Sequence, residues 1–218
     1  MRLITYQTDS GPRLGVMRGR ESAAEEEVFM PVPSMDMLGM VRAGEAGMER
    51  VRASTGFIRP LASVTLLAPI PNPRLNIFCV GRNYAEHAAE SLRARGEQVK
   101  MPDVPVFFTK ATTAVNGPFA DIPFDPKVSE QMDWEAELAV VIGRRGKNIP
   151  REKAMEHVFG YTVVNDVSAR DVQFAHGGQF FKGKSLDGAC PMGPWIVTRD
   201  EVTDPQAMTV QCRVNGVT

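Results

Sequence analysis

Residues 133–143 read DWEAELAVVIG, and no other stretch constrains the fold as tightly. Residues 138–142 form an unbroken apolar run ending at Gly143, the pattern expected of a strand buried on both faces. Directly ahead of it Asp133, Glu135 and Glu137 alternate, so on a strand all three face one side. Like charges on one strand face repel, and a buried carboxylate is costly unless it is paired or metal-bound. Two readings follow: a solvated acidic edge, or acids neutralised by a cation beside a core.

Further strand patterns surround this one. Residues 3–6 and 14–17 read as two strands joined by a turn at Ser10-Gly11-Pro12. Ser34 is positioned to cap a helix over the following apolar-spaced residues. Pro69, Pro71 and Pro73 disfavour helix and mark an extended linker. After it, residues 76–80, 104–109, 161–165 and 195–198 read as strands, and 84–95 and 151–157 as helices. Many strands with few helices predict a β-rich α+β chain, with a small N-terminal domain over 1–70 and a second domain over 71–218. Asn215-Gly216 signals a hairpin whose second strand barely begins, so the chain is expected to be C-terminally incomplete.

Composition excludes some function classes. The formal net charge is −1 with no clustered basic stripe, which argues against nucleic acid as a partner. No stretch approaches the length of a membrane-crossing apolar helix, and no secretory leader pattern opens the chain. Cys79, Cys190 and Cys212 are odd in number and form no CxxC pattern; they read as small buried hydrophobes in a reducing, cytoplasmic setting.

Three other segments carry chemistry. Asp166 closes a strand in NDVSARDVQ (165–173), with Arg170 and Gln173 close behind. Beside two glutamates it would complete a set of hard oxygen ligands suited to Mg2+ or Mn2+. Zinc is disfavoured because no His or Cys lies close to these acids in sequence. In VGRNYAEHAAE (80–90), His87 and Glu90 are helix neighbours, and a carboxylate beside an imidazole can orient it as a base. A surface pair is the commoner meaning of that spacing. Lys184 in KGKS can approach an oxyanion, although most such lysines are simply solvated.

In order, VGRNYAEHAAE (80–90), EAELAVVIG (135–143), NDVSARDVQ (165–173) and KGKSLDGACPMGPW (182–195) resemble the motifs of the fumarylacetoacetate hydrolase family. The resemblance covers roughly residues 75–200 and implies a mixed, rolled β-sandwich that forms a homodimer. It implies Glu135, Glu137 and Asp166 as ligands of Mg2+ or Mn2+. It implies His87 and Glu90 as a dyad on a lid helix, and Lys184 as the support of a developing oxyanion. Arg82, Tyr84, Arg170 and Gln173 match substrate-contacting or supporting positions. The implied activity is metal-dependent hydrolysis of a carbon–carbon bond in an acylpyruvate-type 2-oxo acid, such as fumarylpyruvate, in aromatic catabolism. Decarboxylation or isomerisation of a 2-oxo acid on the same site, and a non-catalytic relative, are the alternatives.

Overall fold

A computed structural model of the chain describes residues 1–18, 26–84 and 103–218. Its fold class is the expected one, strand-rich α+β. Strands β1 (Arg2–Thr8) and β2 (Gly11–Arg18) pair antiparallel, with Thr8 opposite Gly11. The turn is therefore Asp9-Ser10, and Pro12 already lies in β2. β3 (Glu27–Val32) follows, then helix α1 (Met37–Ala53) and β4 (Thr55–Pro60). The cap of α1 is Asp36 and not Ser34: its Oδ1 accepts from the Gly39 amide at 2.6 Å, satisfying a first-turn donor. Met37, Met40, Val41, Met48 and Val51 recur at helical spacing and are buried. They pack with Leu3, Leu14, Val16, Phe29, Phe159 and Ile196 into the largest apolar cluster.

The second half contributes β5 (Leu66–Leu67), β6 (Ile77–Gly81), β7 (Val106–Lys110), β8 (Val115–Asn116), β9 (Met132–Asp133) and β10 (Ala136–Ile142). It continues with β11 (Val158–Asn165), β12 (Ser168–Ala169), a short helix α2 (Arg170–Ala175), β13 (Cys190–Pro191) and β14 (Ile196–Thr198). Residues 151–157 form the short helix that the sequence suggested, and it is of the 3-10 type. One eight-stranded sheet runs β10-β11-β14-β1-β2-β3-β4, with β5 also on β1. Leu3 stands opposite Ile196, so residues nearly two hundred positions apart share a ladder. Gly160 makes the neighbouring β11–β14 contact possible, since a Cβ there would lie 2.4 Å from the Val197 carbonyl oxygen.

β10 is an edge strand of this sheet, and Val140 and Ile142 are 49% and 60% exposed. Its unbroken apolar run therefore does not mean burial on both faces: Ala139 and Val141 pack against apolar clusters on one face, while Val140 and Ile142 on the other are exposed. Asn215 and Gly216 both adopt positive φ, 52° and 81°, and Val214 bridges Val217, the tight turn that Asn-Gly predicts. Among the described residues, no helix is long and apolar enough to cross a membrane.

Candidate metal centre

The β10–β11 ladder assembles the acidic residues. Its register sets Ala136 opposite Asn165 and Glu137 opposite Val164. The pairing carries on past the strand ends: the Asp166 amide donates to the Glu135 carbonyl at 2.9 Å, and the Glu135 amide to Asn165 Oδ1 at 3.0 Å. β9 and β12 extend the same approach, with Asp133 opposite Ser168. Residues thirty apart in sequence thus converge through the backbone ladder and the Asn165 side chain. One carboxylate oxygen from each of Glu135, Glu137 and Asp166 lies within 4.8 Å of the others.

Asp166 is 1% exposed and is held by an ammonium at each oxygen. Lys110 Nζ donates to its Oδ1 at 2.7 Å and to the Val167 carbonyl at 3.1 Å. Lys184 Nζ donates to its Oδ2, to Glu135 Oε2 and to Ser168 Oγ, each at 2.8 Å. All three ammonium protons of Lys184 are therefore engaged inside the cluster. The loop carrying Lys184 comes this close because Gly183 abuts α2; a Cβ there would lie 2.6 Å from the Gln173 amide nitrogen.

Arg170 closes the other side. Its Nε and Nη2 donate to Asp133 Oδ2 at 2.8 and 2.6 Å, and Nη2 also reaches Glu135 Oε1 at 2.6 Å. Nη1 donates to Oε1 of the buried Gln173 at 3.0 Å, so Arg170 and Gln173 act as one unit. Tyr84 Oη accepts from the Leu138 amide at 3.2 Å, one residue beyond Glu137 on β10. Arg82 sits just past β6 in left-handed backbone, φ 57°, with no hydrogen bond to the acidic cluster among the described residues. His87 and Glu90 lie outside the described residues.

The glutamates differ electrostatically. Burial alone would raise the Glu135 carboxyl, but Lys184 and Arg170 outweigh it and hold the group below its ordinary value. Burial, then the Asp166 and Glu135 carboxylates, push Glu137 up to about 7. Among the described residues, no hydrogen bond reaches its carboxylate. A half-buried carboxylate facing two others, in an all-oxygen donor set, suits a hard divalent cation, and the three residues form a site that can hold one. The nearby thiols do not compete: burial pushes Cys79 up to about 12 and Cys190 to about 11, so both stay protonated.

Sequence reasoning missed one contributor, Lys110, and one contact, that of Asp133 with Arg170. Lys110 follows the apolar residues 104–108 in phase with Phe108, so strand alternation turns it inward; that was the available signal. Asp133 was placed on the acidic face, but its pairing with Arg170 depends on the nonlocal β9–β12 contact.

The family described as "Fumarylacetoacetate (FAA) hydrolase C-terminal" matches residues 76–218. The mitochondrial oxaloacetate tautomerase FAHD2A of Bos taurus is 41% identical over 223 residues, spanning 99% of this chain and 68% of that protein. The oxaloacetate tautomerase YisK of Bacillus subtilis is 47% identical over 160 residues, covering 73% and 52% respectively. Among solved structures, the fumarylacetoacetate hydrolase of Exiguobacterium antarcticum matches at 38% identity with a TM-score of 0.70, covering 94% of this chain and 69% of the other. A maleylpyruvate hydrolase from Sphingobium sp. SYK-6, in complex with manganese(II) and pyruvate, matches at 30% identity and TM-score 0.66, covering 94% and 70%.

Proposed function

The chain belongs to the fumarylacetoacetate hydrolase family, and from that premise we propose that it is a divalent-metal-dependent enzyme interconverting the keto and enol forms of a 2-oxo dicarboxylate of the oxaloacetate type. The observation that carries this reading is the convergence of Glu135, Glu137 and Asp166 oxygens within 4.8 Å of one another. Relatives that carry the oxaloacetate tautomerase name across nearly all of this chain support the substrate class.

Glu135, Glu137 and Asp166 would hold Mg2+ or Mn2+, which when bound supplies a Lewis acid for a 2-oxo carboxylate. The remaining steps fall to side chains. Lys184 holds the Glu135 and Asp166 carboxylates in place through two of its ammonium donors. Arg170, 22% exposed at its side chain, has four of its five donors engaged by Asp133, Glu135 and Gln173, which leaves one Nη1 hydrogen and its positive charge for a substrate carboxylate. Tyr84 stands at the β10 edge beside Glu137 as a substrate contact. Arg82 is a second candidate contact. His87, with Glu90, is the proposed proton carrier between carbon and oxygen. A homodimer is the proposed assembly. The free, buried Cys79 and Cys190 support a reducing compartment, for which we propose the cytoplasm.

Hydrolysis of an acylpyruvate carbon–carbon bond is the second reading, supported by the maleylpyruvate hydrolase neighbour. The assay that separates them follows the ultraviolet absorbance of the oxaloacetate enol, and in parallel the cleavage of an acylpyruvate, with Mn2+ and then with EDTA. Enol decay accelerated by the Mn2+-loaded chain, and lost in EDTA and in Glu135→Gln, is the expected result. Acylpyruvate cleavage without enol decay would replace the first reading by the second.

A further inference from the structure

Lys110 is a buried charge to which the proposed reaction gives no task. It closes β7 at 1% exposure, and both of its acceptors, Asp166 Oδ1 and the Val167 carbonyl, belong to the acidic segment. Burying an ammonium is costly, so its presence calls for an account beyond holding a strand in place.

The charges around it supply one. With all three carboxylates ionised, as cation ligands must be, Glu135, Glu137 and Asp166 bring three negative charges, and Lys110 and Lys184 return two positive ones. Asp133 and Arg170 are paired and cancel. Among the described residues the centre is left with a single negative charge. A divalent cation would turn that into a single positive charge, which favours an anionic ligand. Without the Lys110 charge, the empty centre would attract a cation more strongly, and the loaded centre would be neutral toward an anion. In a partly buried site such a charge acts several times more strongly than in water.

We propose that Lys110 sets this balance: it weakens divalent-cation binding and, once the cation is held, strengthens binding of an anionic 2-oxo acid. The inference rests on the cation reading given above. Its signature is two effects of opposite sign. A purely structural role, bracing β7 against residues 166–167, would weaken both ligands together when removed.

The test is calorimetric titration of the whole chain with Mn2+, then of the Mn2+-loaded chain with oxalate, a chelating dianion that is not turned over. Lys110→Gln keeps a donor for Asp166 and removes the charge, whereas Lys110→Arg keeps the charge. Lys110→Gln is expected to bind Mn2+ about tenfold more tightly and oxalate about tenfold more weakly, the size of one partly screened charge. Lys110→Arg is expected to stay close to wild type for both. Should Lys110→Gln not fold, Lys110→Met carries the same expectation. Weakening of both ligands, or no change in either, overturns the proposal. Glu137→Gln separates the two levels: if the wild type binds no Mn2+, or Glu137→Gln binds it equally well, the cation reading falls and this inference with it. If Mn2+ binding is lost in Glu137→Gln while Lys110→Gln behaves as wild type, only the role of Lys110 falls.

Discussion

Glu137→Gln should stabilise the metal-free chain, and only above a definable pH. In the folded chain burial, then Asp166 and Glu135, push the Glu137 carboxyl from 4.5 up to about 7. The folded state therefore binds this proton more tightly than the unfolded state does. Below the ordinary value both states are protonated and nothing is lost; as pH rises through the folded value, folding must accept an unfavourable charge. A shift of this size corresponds to about 3 kcal/mol, and to about 2 kcal/mol once the remaining solvent exposure is allowed for. Glutamine keeps the shape and removes the charge. Urea unfolding in EDTA should show the variant more stable than wild type by about 2–3 kcal/mol at pH 8 and nearly equal to it near pH 4.5. Glu135 acts in the opposite sense: held low by Lys184 and Arg170, its contribution is present above its ordinary value and fades as pH falls through its folded value, so the two windows do not overlap. A variant no more stable than wild type at pH 8 would refute the electrostatic reasoning.

Three further outcomes follow from the packing. Lys184→Met leaves Glu135 and Asp166 without a shared partner and should destabilise the metal-free chain by about 3 kcal/mol or more, with Mn2+ recovering part of the loss in a thermal melt. Asp36→Ala removes the α1 cap and should cost about 1 kcal/mol in urea unfolding without altering Mn2+ affinity. Gly160→Ala sets a methyl group against the Val197 carbonyl and Ile196, so it should lower the melting temperature sharply, with a loss exceeding about 2 kcal/mol.

The legible parts of the molecule are those written in local spacing. The alternation of Glu135 with Glu137 set two acids on one strand face, and Asp166 was joined to them through the order of the family-like motifs; spacing alone left a solvated acidic edge open. The Asn215-Gly216 turn was legible from its own two residues. What escaped is nonlocal. Nothing in residues 2–3 announces that they pair with 196–197. Ser34 and Asp36 are both able caps, and only the path of the chain into α1 selects Asp36. The run 138–142 gives no sign that β10 is a sheet edge, since apolar continuity reports composition and not how many neighbours a strand has. Lys110 was hidden because its partner lies fifty-six residues away.

The central claim is that Glu135, Glu137 and Asp166 together hold one divalent cation, and an anomalous difference map from crystals soaked in Mn2+ tests it most directly. The account predicts one peak per chain lying about 2.0–2.4 Å from an oxygen of each of the three carboxylates, and none in crystals of Glu137→Gln. A peak ligated by other residues, or no peak in well-ordered wild-type crystals, would contradict it.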